Sequence, residues 1–266
     1  MKYAPLRMIE LRNVSKSYDN GATLAVAGVS LKIEKGELLG LIGESGCGKT
    51  TTLKMINRLE EADAGEVFVG GRDVMDRNPQ ALRRNIGYVF QGIGLFPHYT
   101  VMENVAAVPR LLQWTREETD RRCREALELV GLPAEEYGER NPMQLSGGQQ
   151  QRVGVARALA ASPEVVLMDE PFGALDPVTR GQLRDEFRAI QRKLDLTVIL
   201  VTHDMMEALL LADRIAVMKE GEVLQVGTPH ELLMEPEHGY VSEMVEMPRQ
   251  EAVRLDRLIR EESARP

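Results

Sequence analysis

Eight consecutive residues, Gly43, Glu44, Ser45, Gly46, Cys47, Gly48, Lys49 and Thr50, have the types and spacing of a loop built to hold a chain of phosphates. Glycines at its first, fourth and sixth places let main-chain N–H groups converge on one anion, and the ammonium and hydroxyl at its end reach phosphate oxygens and a divalent cation. An apolar run at 38–42 enters the loop, and a stretch with helical spacing at 51–59 leaves it. The positive end of that helix therefore faces the same anion. Lys49 is expected at the β- and γ-phosphates of a nucleoside triphosphate, Thr50 on its Mg²⁺ and Thr51 beside the α-phosphate. Cys47 reads as a small loop residue whose alkylation blocks nucleotide binding.

A second constellation lies downstream, where four apolar residues, Val165, Val166, Leu167 and Met168, run into Asp169 and Glu170. Such a strand delivers its last side chains to the C-terminal edge of a parallel sheet, where ligands bind. Asp169 is expected to hold Mg²⁺ through water, and Glu170 to orient or deprotonate an attacking water. Neighbours on a strand point to opposite faces, which separates the two tasks.

The third is Leu145, Ser146, Gly147, Gly148 and Gln149, opening a stretch of helical periodicity with Ser146 at the N-cap position. Two glycines after the cap leave bare amides at the helix mouth, suited to close approach by a phosphate. Here the chain resembles the ABC ATPase family, whose LSGGQ motif it reproduces in full. The resemblance implies ATP and Mg²⁺ as ligands and a catalytic site shared across a two-fold dimer, with the signature of one subunit closing on the phosphate loop of the other. It further implies that Tyr18 stacks on adenine, that Gln91 contacts Mg²⁺ and water, that Ala174, Leu175 and Asp176 couple the two sites, and that His203 contacts the γ-phosphate. Gln91 also begins the segment that docks on membrane subunits, with Phe96 and His98 as candidate transmitting residues.

More narrowly, residues 53–59, 93–98, 100–104, 145–159 and 168–177 resemble ATPases of bacterial importers for quaternary-amine osmoprotectants such as glycine betaine, choline and carnitine. This implies integral-membrane permease subunits as partners, a second ATPase copy, an extracytoplasmic solute-binding protein at one remove, and a position on the inner face of the cell membrane. An importer ATPase for an amino acid or polyamine is the alternative within the class; a non-transport ABC ATPase is the alternative outside it, although such proteins usually carry two cores or long coiled-coil insertions. A P-loop GTPase would need an N-K-x-D motif, which the sequence lacks. Many relatives end in paired CBS modules; this chain is expected to end in a short charged tail instead.

The elements that must position these residues are legible as well. Alternating strands near the start, then apolar strands at 86–90, 165–168 and 197–201 among helical stretches, predict an α/β fold. The expected architecture is a P-loop NTPase (RecA-like) core with an N-terminal antiparallel β-subdomain and an inserted α-helical subdomain. Its boundaries are 1–93 and 163–247 for the core, 94–162 for the helical part and 248–266 for the tail. A content of 43% hydrophobic and 28% charged residues is that of a globular chain. The net charge of −8 argues against a nucleic-acid partner. Two cysteines without metal or disulfide spacing fit a reducing compartment, and residues 1–10 show no secretory signal. No run of eighteen apolar residues is present, so other chains must span any membrane involved.

Overall fold

The computed structural model describes residues 7–19, 21, 23–92 and 94–263. Residues 1–6 of the start, Asn20 within a turn expected at 19–21, Ile93 at a predicted boundary and the last three residues of the tail lie outside the described residues.

Two long strands come first, β1 (Arg7–Ser17) and β2 (Leu24–Glu34), paired antiparallel with Leu11 opposite Leu31 and Val14 opposite Val29. After them β3 (Leu38–Ile42), buried at every position, leads into α1 (Lys49–Ile56). This helix stops short of the predicted Leu59. Arg58 adopts a left-handed φ of +54°, the guanidinium of Arg83 donates to the carbonyls of Asn57 and Arg58, and Leu59 is left exposed.

The hairpin of β4 (Ala64–Val69) and β5 (Arg72–Asp73) was not anticipated. It turns on Gly70 and Gly71, both at positive φ, and β4 pairs antiparallel with β1. A Gly-Gly pair after the alternating Val67 and Val69 was the available signal. Next come α2 (Pro79–Arg84) and β6 (Ile86–Val89). The described residues of 94–162 hold α3 (Val101–Val105), α4 (Ala107–Leu111), α5 (Arg116–Leu129), α6 (Ala134–Tyr137) and α7 (Gly147–Leu159), without a strand among them. The chain then alternates: β7 (Val165–Asp169), α8 (Pro177–Leu194), β8 (Thr197–Thr202), α9 (Met205–Leu211), β9 (Arg214–Lys219), β10 (Glu222–Gly227), α10 (Pro229–Met234) and α11 (Gly239–Ser263). The charged stretch expected as a tail from Pro248 continues the helix begun at Gly239, with Pro248 inside it.

Among the described residues the strands form two sheets, β2-β1-β4-β5 and β10-β9-β3-β8-β7-β6. Every neighbouring pair in the second is parallel except β9 with β10. Alternate residues of β3 serve two cores. Leu39 and Leu41 join Ile9, Leu11, Ile33 and the α1 residues Leu53 and Met55 between the sheets. Leu38 and Ile42 face Val153, Ala156, Phe172 and Leu211 on the other side. An apolar strand buried on both faces is what a central parallel strand requires. This architecture is the α/β class expected, an antiparallel β-sheet and a set of helices built around a parallel core.

The register is what assembles a site. Val89 of β6 lies opposite Met168, Asp169 of β7 opposite Val201, and Thr202 of β8 opposite Ile42 of β3. The loop after β3, the acids ending β7, Gln91 just past β6 and His203 just past β8 therefore leave the sheet along one edge.

Candidate active site

The phosphate-loop residues fold as their types dictate. Gly43 and Gly48 lie so close to the carbonyls of Met218 and Ala25 that a methyl group at either place would overlap them. Gly48, at φ +103°, is also the N-cap of α1, so the loop passes directly into the helix. Gly46 at φ +82° has nothing within 4 Å of where a Cβ would stand, and Glu44, Ser45 and Gly46 are exposed along the crest. Lys49 is buried, and its Nζ donates to the carbonyls of Gly43 and Glu44, each at 2.8 Å. Cys47 lies beneath, buried, with Sγ 3.7 Å from that ammonium.

Thr50 Oγ1 donates to Asp169 Oδ1 at 2.9 Å, joining the loop to the end of β7. Burial raises the Asp169 carboxyl above the ordinary aspartate range; the Thr50 bond opposes that rise, the neighbouring Glu170 charge adds to it, and Lys54 and Lys49 pull against it. Tyr88, whose phenol is pushed up by burial and by the Asp169 charge, closes the same corner from β6. The Thr50 hydroxyl and Asp169 carboxylate form a hard-oxygen pair of the kind that holds Mg²⁺ beside phosphates.

Glu170 departs from the pleat on which its separation from Asp169 was expected to rest. It stands past the end of β7 at φ +44°, with its N–H donated to the Val201 carbonyl at 3.0 Å. The kink, rather than strand alternation, sets where its carboxylate stands. Gln91 Nε2 donates to Glu170 Oε2 at 3.1 Å, and His203 Nδ1 stands 3.3 Å from the same oxygen. Residues from two other strand ends thus meet on the Glu170 carboxylate. Behind them Asp204 caps α9 by accepting from the Glu207 N–H, and Arg180 Nη2 donates to the Leu175 carbonyl while Nη1 approaches Asp204 Oδ2 at 3.7 Å.

Tyr18 is 60% exposed, and its hydroxyl lies 3.3 Å from that of Thr51, so the open ring stands at the rim of the loop. Ser146 caps α7 by accepting from the Gln149 N–H, and the Gln149 side chain accepts from the Ser146 N–H at 2.9 Å. Gly147 is exposed, whereas Gly148 packs against Thr179. Among the described residues, the hydrogen bonds of Ser146 and Gln149 stay within this cap and do not reach the loop at 43–51. Asp176 caps α8, accepting from the Val178 and Thr179 N–H groups; the Thr179 side-chain hydroxyl first, and then these N–H groups, hold its carboxyl below the usual range. Sequence reasoning missed Tyr88, Arg180 and Tyr240, each of which reaches the site from an element whose packing only the fold reveals.

A family model for the ABC transporter matches residues 26–173. The choline transport ATP-binding protein OpuBA of Bacillus subtilis is 55% identical over 238 residues, 90% of this chain and 62% of that protein. The glycine betaine uptake system ATP-binding protein YehX of Escherichia coli is 53% identical over 234 residues, 88% of this chain and 75% of that protein. The dimeric structure of the bacterial ABC transporter cassette MJ0796 superposes with a TM-score of 0.74 at 37% identity, over 84% of this chain and 99% of that one. The chain thus spans less than two thirds of the length of OpuBA. Matched by the family model over more than half its length, the chain belongs to the ABC transporter family.

Proposed function

We propose that the chain is the ATP-hydrolysing subunit of an importer for a small solute, a quaternary-amine osmoprotectant such as glycine betaine, choline or carnitine. The observation that carries the catalytic half is the convergence of Gln91 and His203 on Glu170 Oε2, beside a phosphate loop tied to Asp169 through Thr50. The names of the relatives above support the substrate half.

Mg-ATP is the substrate. The open crest at Glu44, Ser45 and Gly46, the main chain of Cys47 and Gly48 leading into α1, the ammonium of Lys49 and the hydroxyl of Thr51 suit the phosphate chain; the Thr50–Asp169 oxygens, with Gln91 nearby on Glu170, suit its cation. Tyr18 offers its exposed face to the base. In hydrolysis Glu170 orients a water and accepts its proton as the water oxygen bonds to the γ-phosphorus. The bond from that phosphorus to the bridging oxygen breaks, and ADP leaves with the electron pair. Lys49 offsets charge on the phosphate oxygens, and His203 holds Glu170 in place while facing the γ-phosphate. The γ-phosphate side is completed by Ser146, Gly147, Gly148 and Gln149 of a second copy, with Asp176 at the seam between them.

In this reading residues 1–93 and 163–247 act as the catalytic core and 94–162 as a helical unit that moves when two copies close over two nucleotides. Phe96 is exposed, and its ring packs at a tilt on Tyr99 with centroids 5.2 Å apart, and Tyr99 meets His98 edge to face at 4.7 Å. Asn104, fully buried, bonds both main-chain groups of Phe96. This segment presents a firm aromatic surface to permease subunits. No described helix is long and apolar enough to cross a membrane, in keeping with a peripheral place on its inner face.

The test is solute uptake by cells deleted for this chain and carrying it back on a plasmid, wild type or Lys49→Ala. Uptake of labelled glycine betaine, choline or carnitine restored by the wild type alone is the expected result. Restored uptake of spermidine or an amino acid in their place would move the chain to a different importer class, and restoration by Lys49→Ala would remove ATP hydrolysis from the reading.

A further inference from the structure

The phosphate loop is touched from an unexpected quarter. Tyr240, the second residue of α11, accepts a hydrogen bond on its hydroxyl oxygen from the Glu44 N–H at 3.2 Å, across 196 residues of sequence. The Gly43 carbonyl, in the same peptide plane as that N–H, accepts from Lys49 Nζ at 2.8 Å. One peptide of the loop, Gly43–Glu44, is therefore held on both edges, by a phenol from the last helix and by the ammonium expected at the phosphates.

The contact is built rather than casual. Val241 and Val245 of α11 are buried in the core cluster that also contains Leu211 and Leu232. This seats the first turns of the helix against α9 and α10 and fixes where Tyr240 stands. On its other side Lys219 Nζ lies 4.8 Å from the Tyr240 ring centroid, at the end of β9, whose Met218 carbonyl abuts Gly43. The turn after β9 is itself tied to the loop, Gly221 N–H donating to the Cys47 carbonyl at 3.2 Å. The C-terminal part of the chain thus supports the loop beside the β2 carbonyl of Ala25.

We propose that Tyr240 is a positioning residue for the nucleotide: its hydroxyl fixes the Gly43–Glu44 peptide so that the Gly43 carbonyl of that same plane holds Lys49 at the mouth of the loop, and the seat of α11 thereby sets affinity for the phosphate chain. The proposal rests on the reading of residues 43–51 as an ATP site. Removing a neutral hydrogen bond that orients a binding group weakens the bound state by a factor of about 3 to 10. Coupling of this kind is reciprocal, so nucleotide in the loop steadies the first turns of α11 as much as α11 steadies the loop.

The experiment compares the wild-type chain with Tyr240→Phe, which keeps the ring over Lys219 and removes only the hydroxyl. Three quantities are read: the Mg-ATP dissociation constant by calorimetry, steady-state KM and kcat, and amide hydrogen exchange across 239–247 with and without Mg-ATP. The expected result is a dissociation constant and KM raised about 3- to 10-fold, with kcat at saturating ATP within about twofold of wild type. Mg-ATP should slow exchange at 239–247 in the wild type and have little effect there in the variant. A thermal midpoint within a degree or two of wild type keeps a folding defect from producing the same pattern. Unchanged affinity together with unchanged nucleotide protection of α11 overturns the proposal and leaves the ATP site standing. Failure of the wild type to bind Mg-ATP at all removes the site, and the proposal with it.

Discussion

His203 Nδ1 stands 3.3 Å from Glu170 Oε2, the same oxygen that accepts from Gln91 Nε2. A residue following β8 and one following β6 therefore grip a carboxylate that a left-handed kink has lifted off β7. Backbone held in that region by a non-glycine residue costs on the order of 1 kcal/mol, and it persists here because the Glu170 N–H is pinned to Val201.

Glu170→Gln keeps the shape and removes the proton acceptor. Hydrolysis should fall by about 100-fold or more, the usual worth of a positioned general base, while Mg-ATP still binds. Blocked turnover should trap two copies around nucleotide, so light scattering of this variant should move from monomer to dimer when Mg-ATP is added. His203→Ala should lose hydrolysis to a similar degree with ATP affinity largely spared. Full activity in either variant would take that residue out of the catalytic group.

The two signature glycines separate a packing role from a ligand role. A Cβ on Gly148 would stand 2.6 Å from Thr179 Cγ2 on α8, whereas one on Gly147 would meet only Leu175 Cδ2 at 3.9 Å. Gly148→Ala must displace Thr179 or push α7 from α8, and should destabilise the fold by about 1–3 kcal/mol, read as a lowered thermal midpoint. Gly147→Ala should melt close to wild type yet impair ATP-dependent dimer formation, because its methyl faces outward at the helix mouth. Equal melting of the two variants would show that Thr179 gives way.

These residues also mark what the sequence could convey. Loop, acids and signature are short patterns whose chemistry is stated by residue type, and β3, β7 and β8 are apolar runs whose burial on both faces is written in their composition. The β4–β5 hairpin was harder: it is short and half exposed, and its buried residues are few. The end of α1 depends on Arg83, twenty-five residues away from Arg58 in sequence. Tyr240 could not be found at all from its neighbours, since its partner is a backbone amide on the far side of the chain. Local periodicity carries no record of such contacts.

The two cysteines should differ in reactivity for a stated reason. Both are buried, but burial pushes the Cys123 thiol up to about 11, leaving a very small thiolate fraction at neutral pH. Mass spectrometry after timed iodoacetamide exposure should show slow labelling at Cys47 and slower labelling at Cys123. Mg-ATP should protect Cys47, and protein alkylated there should no longer bind nucleotide. Nucleotide binding that survives complete modification of Cys47 would refute its place in the loop.

Glu207 offers a test in pH. It is buried at the start of α9 with Oε1 lacking a hydrogen-bond partner among the described residues, and burial raises its carboxyl above the ordinary glutamate range. The Thr202 hydrogen bond and the charges of Arg180 and Arg184 oppose that rise, and Asp204 adds to it. A carboxyl raised in the fold binds its proton more tightly there than in the unfolded chain. Its contribution to stability is therefore greatest in acid and is lost as pH climbs from the ordinary glutamate range through the raised value. Glu207→Gln removes the titration while keeping the shape. The variant should melt above wild type at pH 8, by about 2–4 °C for each kcal/mol relieved, and the gap should close as pH falls toward the ordinary glutamate range of about 4.3. A gap that stays constant from pH 5 to pH 8 would mean that Arg180 and Arg184 already hold this carboxyl charged throughout. The buried charge would then be a fixed part of the link between the His203 turn and α8.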